Sequence, residues 1–213
     1  MKRATCSGRA GFTMVELAVA TLLLVVLLGS VAIFSDRGVD ALGAGTLQSD
    51  LDAHLRRAVG RMTDDLLPSG MTVITSVATA DALTYRKSAG PRNGTNTWGP
   101  TMSLAFVREP GELDDGLDND SDGLVDEGLV EWRMDVGTPE ERVVVLCRGV
   151  PELGPGEQEN DADDDGDGLV DERGVVFERV GDTTVRVGLT LQRLDQDRRP
   201  VTRTLETMLQ PRN

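Results

Sequence analysis

Hydrophobic and polar positions divide the chain into three textures. Leu17 to Phe34 is 18 residues without a charged side chain, and extending it back to Phe12 makes 23 residues with one charge, Glu16. As a helix rising 1.5 Å per residue this segment is about 34 Å long, enough to cross a bilayer core of roughly 30 Å. The chain then turns polar, and glycines at 38, 43 and 45 weaken the helical expectation there. From Leu47 a second pattern takes over. Leu47, Leu51, Leu55, Ala58, Met62 and Leu66 recur every three or four residues and form one apolar helix face, with Arg56, Arg57, Arg61 and Asp64 off it. Pro68-Ser69-Gly70 stops the helix.

Beyond Gly70 the texture changes to short β-rich runs: Met71–Val77, Ala82–Arg86, Met102–Val107, Leu129–Met134, Arg142–Cys147 and Val175–Val180. In Thr183 to Gln192 the residues Val185, Val187, Leu189 and Leu191 alternate with Arg186, Gly188, Thr190 and Gln192, the period-two signature of a half-buried strand. Asp195 to Pro200 is turn-rich, and Val201 to Leu209 returns as a hairpin partner. A long N-terminal helix, first transmembrane and then amphipathic, followed by several antiparallel strands is an α+β arrangement. The chain thereby divides into 1–11, a short basic leader; 12–35, the apolar helix; 36–67, its amphipathic continuation; and 68–213, a β-sheet domain.

The leader carries Lys2, Arg3 and Arg9, so an N-terminus retained in the cytoplasm and an exported remainder are expected. An ordinary cleaved secretory signal has an apolar stretch of about 7–15 residues and a small-x-small cleavage site. Here the stretch is longer, and Ala32-Ile33-Phe34 ends in a large aromatic. A plain signal anchor does not account for Glu16, since a carboxylate inside an apolar membrane helix costs about 2.5–3.5 kcal/mol on insertion scales and calls for a partner.

Gly11-Phe12-Thr13-Met14-Val15-Glu16 resembles the processing site of type IV prepilins and type II secretion pseudopilins. The resemblance implies that a membrane prepilin peptidase cuts after Gly11 on the cytoplasmic side and methylates the new amine of Phe12. Glu16 becomes the fifth mature residue, which in that family pairs with the N-terminal amine of a neighbouring subunit. A buried carboxylate is tolerable when it meets a cation, so the pairing makes physical sense. The closing hairpin and the terminal Leu-Gln-Pro-Arg-Asn are loosely similar to the ends of PilW-type minor pilins and GspJ-type pseudopilins. The implied fold is a long helix packed on an antiparallel sheet. The implied function is a minor subunit of a type IV pilus or type II secretion pseudopilus, at the tip or priming assembly. The implied partners are other pilin or pseudopilin subunits, the peptidase and the bacterial inner membrane, with the C-terminal domain periplasmic and then on the filament. The other reading is a single-pass calcium-dependent binding or adhesion module that never enters a filament.

Charge sharpens the picture. The 213 residues include 22 Lys+Arg and 36 Asp+Glu, for a formal net charge of −14. That balance argues against nucleic acid, and also against docking on anionic lipid headgroups. Nine acids fall in 109–127 and ten in 152–172, with no Lys or Arg in either segment, so the two loops carry −19 and the rest of the chain +5. With 39% hydrophobic and 3% aromatic residues, a modest aliphatic core can form.

The two acidic segments repeat one design. Asp118-Asn119-Asp120-Ser121-Asp122-Gly123-Leu124-Val125-Asp126-Glu127 aligns with Asp163-Asp164-Asp165-Gly166-Asp167-Gly168-Leu169-Val170-Asp171-Glu172 at an offset of 45, with eight of ten positions identical. Gly111-Glu112 pairs with Gly156-Glu157 at the same offset. Asp at positions 1, 3 and 5, Gly at the bend at 6, a carbonyl at 7 and an oxygen at 9 are the spacing of a calcium loop. One site would comprise Asp118, Asp120, Asp122, the Leu124 carbonyl and Asp126; the other Asp163, Asp165, Asp167, the Leu169 carbonyl and Asp171. Position 12 of an EF-hand is a bidentate Glu, but Leu129 and Gly174 stand there, and Glu127 and Glu172 stand at 10 instead. With strand-like flanks these are EF-hand-like loops rather than EF-hands. Asp115–Glu127 also resembles a metal-binding repeat of many exported bacterial proteins, whose commoner form has Cys where Ser121 stands. Hard oxygen ligands without His or Cys favour calcium, up to two ions, over zinc or copper. The alternative is a solvated acidic loop.

Little else suggests chemistry. The one histidine, His54, sits on a helix without ligand companions, so it reads as a surface or packing residue. Cys6 would leave with the leader, and Cys147 lies in an apolar strand-like run, expected to be buried and inert. No Ser/His/Asp set is credible, and the chain is not expected to be an enzyme.

Overall fold

The computed structural model describes residues 13–76, 80–166 and 168–212, with side chains throughout except at 36–41. It is α+β: one helix, α1 (Met14–Leu66), and eight antiparallel strands, β1 (Thr75–Ser76), β2 (Ala82–Arg92), β3 (Thr95–Arg108), β4 (Gly128–Met134), β5 (Arg142–Val150), β6 (Val175–Val180), β7 (Thr184–Leu194) and β8 (Pro200–Leu209). Two compact units divide the chain, Met1–Ala44 and Gly45–Asn213.

In the first unit the apolar span of α1 runs Met14–Ser35, 22 residues with none of its surface buried, long and apolar enough to cross a membrane. Its hydroxyls do not interrupt that character. Thr21 Oγ1 donates to the Ala18 carbonyl at 2.9 Å and Ser30 Oγ to the Leu27 carbonyl at 2.8 Å, so each polar group is satisfied by its own helix. The glycines at 43 and 45, where the sequence weakens the helical expectation, lie inside the helix.

In the second unit the 3.6-residue stripe is the core-facing side of the helix. Leu51, Leu55, Ala58, Met62 and Leu66 are buried, with Val59 beside them and Leu47 at the margin. They join one apolar cluster with Leu83, Tyr85, Leu104, Val130 and Trp132 of the first sheet and Phe177, Val185, Val187, Leu189 and Leu191 of the second. Each fully buried Leu contributes about 2 kcal/mol by leaving water. The alternation read in Thr183 to Gln192 is real for its inward set, yet Gly188 and Thr190 are buried too, because β7 is the middle strand of its sheet.

The strands form two sheets rather than one: β1-β2-β3-β4-β5 and β6-β7-β8. Met71–Val77 is not a full strand. Met71–Val73 is a 3₁₀ turn closed by Val73 N–H to the Gly70 carbonyl at 3.0 Å, and among the described residues of this run only Thr75–Ser76 pair as a strand; Val77 lies outside them. The break follows from Pro68 and Gly70, which leave the chain in a turn after the helix. Ala82–Arg86 and Met102–Val107 are the paired halves of one long hairpin, Arg92 facing Thr95 across Asn93-Gly94. Both turn residues have positive φ, 52° and 78°, the conformation that a two-residue primed turn demands and that Asn-Gly supplies.

A polar knot is tied into the end of the helix. Trp132 Nε1 donates to Tyr85 Oη at 2.9 Å, and Tyr85 Oη in turn donates to the buried Asp65, which also pairs with Lys87. Burial, then Asp65, push the Tyr85 phenol well above its ordinary value, so it remains a hydrogen-bond donor.

Candidate metal centres in two congruent loops

The first acidic loop joins β3 to β4, and the second joins β5 to β6. Each closes on itself at its base. Glu109 N–H meets the Glu127 carbonyl at 3.1 Å, and Gly154 N–H meets the Glu172 carbonyl at 2.7 Å, at the same 45-residue offset. The positive-φ residues also coincide: Gly111 with Gly156, Gly116 with Asp161, Ser121 with Gly166, Gly123 with Gly168 and Asp126 with Asp171. At Gly123 the φ of +100° is one constraint and the neighbouring Leu194 another, since a Cβ there would stand 2.3 Å from Leu194 Cδ1. Leu194 can turn its methyl aside and Gly168 at φ +96° has open space around it, so the bend is what calls for glycine at the sixth position of both loops.

Two acidic residues organise each loop through its backbone. Glu112 Oε1 accepts the amides of Asn119 (3.0 Å) and Asp120 (2.8 Å), and its Oε2 accepts that of Asp126 (3.2 Å). Glu157 makes the same three bonds to Asp164, Asp165 and Asp171 at 3.1, 2.9 and 3.1 Å. Asp126 accepts the amides of Asp115 and Gly116, and Asp171 those of Asn160 and Asp161. The two ninth-position carboxylates therefore sit on backbone amides, outside the clusters described next. Glu112 and Glu157 were not among the residues singled out as ligands; their signal was the Gly-Glu pair repeating at the offset of 45.

The remaining carboxylates converge. Asp118, Asp120 and Asp122 each bring an oxygen within 4.8 Å of the others, and Glu112, Asp120 and Glu127 do the same, with Asp120 common to both groups. In the second loop Glu157, Asp163 and Asp165 converge. These groups could hold a metal ion. The first-position Asp of each loop also accepts the amide of the sixth-position glycine, Gly123 to Asp118 Oδ2 and Gly168 to Asp163 Oδ2, both at 3.0 Å. Asp120 takes the Asp122 amide and Asp122 the Leu124 amide, so the carboxylates are turned inward by their own backbone. Leu124 is buried, Leu169 half-buried and Glu172 buried; Asp167 lies outside the described residues.

Glu127 stands out. It is 1% exposed, and neither carboxylate oxygen accepts a hydrogen bond from another residue. Burial pushes its carboxyl up to about 7, with the charges of Asp122, Glu112 and Asp120 adding to the effect. Asp118 Oδ1 is likewise buried without a partner. A cation among these oxygens would supply the missing counter-charge.

The loops are joined by ions. Arg108, at the end of β3, reaches Asp114 (3.1 Å), the Asp126 carbonyl (3.3 Å) and Glu152 (2.5 Å). Glu152 also takes Arg173 at 3.0 Å, which bonds Asp81 at 3.2 Å and stacks on Phe106.

At the N-terminal end Gly11 and Phe12 lie outside the described residues. Glu16 Oε2 accepts both Thr13 N–H and Thr13 Oγ1–H at 2.9 Å, while Glu16 N–H donates to Thr13 Oγ1 at 3.2 Å. This reciprocal pair is a capping box on α1, and its signal, Thr-x-x-Glu before an apolar run, was open to a sequence reading. Glu16 therefore has a use within its own helix.

His54 lies half-exposed beside Arg193 (2.8 Å). Cys147 is a free, half-buried thiol that burial pushes up to about 12, where it is not a nucleophile.

Comparison of the chain with protein-family models, with curated proteins and with solved structures finds no match in any of the three.

Proposed function

We propose that the chain is a minor pilin or pseudopilin, a structural subunit of a type IV pilus or type II secretion pseudopilus. The observation that carries this reading is the single helix whose capped apolar segment continues into an amphipathic stripe buried against antiparallel sheets. The prepilin-like run from Gly11 to Glu16 adds to it. On this reading the leader is cut after Gly11, and the helix from Phe12 anchors the subunit in the inner membrane before packing in a filament. The sheet domain faces the periplasm or the cell surface. The chain's work is assembly with other subunits rather than catalysis.

Calcium is the ion we assign to the acidic loops, because every converging ligand is a hard oxygen and the site wants several. An exported module can work at a Kd of about 10⁻⁴–10⁻³ M. The ions would order the two loops of the sheet domain.

The second reading is a single-pass anchored calcium-dependent binding module, for which the capping box gives Glu16 a partner, Thr13, inside its own helix. Mass spectrometry of the mature N-terminus separates the two. A chain beginning at N-methylated Phe12 is the expected result for the pilin, whereas an intact leader removes it and leaves the anchored module.

A further inference from the structure

The two sheets differ in how they end. β8, an outer strand of the smaller sheet, opens with Pro200 and carries Arg203 and Glu206, residues that discourage edge-to-edge pairing. β5 is the last strand of the larger sheet and, among the described residues, has no strand hydrogen-bonded to its outer edge, although β7 closes on its Gly149 end, where a Cβ would stand 2.6 Å from the Gln192 carbonyl. From 143 to 147 it holds no charge and no proline, and Val143, Val144 and Val145 are 49%, 41% and 40% exposed. The pairing with β4 skips Leu146, a bulge that interrupts the edge there, but the regular apolar run 143–145 is a template for another strand.

A groove of about 720 Å³ runs along this edge, with α1 and β7 forming its other walls. Four arginines line it: Arg57 and Arg61 come from the helix, Arg148 from β5 and Arg193 from β7. Two carboxylates line it, Glu109 and Asp122; Glu109 pairs with Arg148, and Arg193 pairs with Asp50 at 2.7 Å, which leaves Arg57 and Arg61 as the groove's uncommitted cations. Among the described residues Arg57 and Arg61 form no ion pair: Arg57 bonds the Ala53 carbonyl at 3.2 Å, and Arg61 stacks on Trp132 at 4.8 Å. Outside the two acidic loops the chain carries a net +5, and the groove gathers four of its arginines in one place.

We propose that the groove docks an extended acidic segment of another polypeptide, which adds as a strand to the outer edge of β5. Backbone hydrogen bonds to residues 143–147 would supply the affinity. Alternate side chains of a strand point the same way about 6.6 Å apart, so carboxylates at every second position meet the arginines. A second copy of β5 is the poorer occupant. Antiparallel self-pairing centred on Val145 sets Arg142 of each copy opposite Arg148 of the other, like charge against like. The proposal rests on the groove and the edge alone and holds whether or not the chain enters a filament or binds a cation.

The test uses the full chain in detergent micelles and two fluorescein-labelled heptapeptides, Glu-Val-Glu-Val-Glu-Val-Glu and its lysine counterpart. The acidic peptide should give a saturable rise in anisotropy and the lysine peptide none. The Arg57→Glu/Arg148→Glu variant should bind the acidic peptide at least tenfold more weakly, while Arg57→Lys/Arg148→Lys stays within a few-fold of the parent. Amide exchange at 143–147 should slow when the acidic peptide is bound. Equal binding of both peptides, unchanged affinity in the charge-reversed variant, or no protection of 143–147 would each overturn the proposal. So would a peptide-free dimer, seen by sedimentation, that protects the same five residues.

Discussion

The two acidic loops share one backbone and differ in a few side chains, and the differences separate what shapes a loop from what charges it. Glu112 and Asp126 in the first loop, Glu157 and Asp171 in the second, spend their oxygens on amides. These four residues tie each loop's backbone to its own side chains. Where the sequences diverge, one divergence compensates another. Asn119 Nδ2 donates to Asp115 Oδ1 at 2.9 Å, and at the equivalent place Asn160 Nδ2 donates to Asp164 Oδ2 at 2.8 Å, so amide and carboxylate have exchanged positions and the bond survives. The tenth-position glutamates lie in different surroundings. Glu172 lies against Gly154, where a Cβ would stand 2.8 Å from its Oε1, whereas Glu109 occupies the matching place beside Glu127. Loop form is thus a matter of backbone acceptors and cation demand a matter of the converging carboxylates, a division straddled by Glu112 and Glu157, which belong to both sets.

That division can be broken most severely at the acceptors. Glu112→Ala removes the partner of three amides in a buried position, and a loss of about 4 kcal/mol in chemical denaturation is expected, since bonds to a charged acceptor are worth roughly 1.5–3 kcal/mol each. A loss below 1 kcal/mol would mean that the loop is shaped by something else.

Next comes Glu127. Its carboxyl titrates higher in the folded chain than in the unfolded one, so the stability it confers is present in full below pH 4.5 and drains away as pH rises through about 7. Without divalent ions the chain should therefore lose on the order of 3 kcal/mol over that range on account of this residue. Glu127→Gln should flatten this part of the pH–stability curve and raise the melting temperature of the calcium-free chain at pH 8. A fall in melting temperature there would contradict the burial of an uncompensated charge.

Calcium at a hundred times its Kd should add about 2.7 kcal/mol per filled site. Asp120→Ala should abolish the gain of the first loop and Asp165→Ala that of the second, leaving the double variant indifferent to chelator. A gain that persists in the double variant would place the ion elsewhere. The smallest effect tests the exchanged pair. Asn119→Asp sets two carboxylates against each other and should cost about 1 kcal/mol, and adding Asp115→Asn should restore most of it in a double-mutant cycle. No coupling between the two changes would make the exchange accidental.

The sequence carried the helix stripe from Leu47 to Leu66, the inward set of β7, the α+β class and the loop repeat, because each depends on a spacing that local geometry imposes. It did not carry the split into two sheets, which depends on pairings such as Val107 with Leu129 across the first loop. Nor did it carry the roles of Glu112, Glu157, Asp126 and Asp171. Spacing marks a carboxylate as a candidate ligand, but whether it meets an ion or an amide depends on how the loop closes. Thr13-x-x-Glu16 and Asn93-Gly94 were legible in principle. The first was read as half of an intersubunit pair, and the second lay between strands taken to be shorter than they are.

One feature of the loops does not depend on a cation. Each loop is stapled at its base by a backbone hydrogen bond, yet the first bridges neighbouring strands of one sheet and the second passes from one sheet to the other. The same cassette therefore serves two different hosts and asks of each only that its ends meet. An insert whose two ends already touch adds length to a connection without drawing the elements on either side apart.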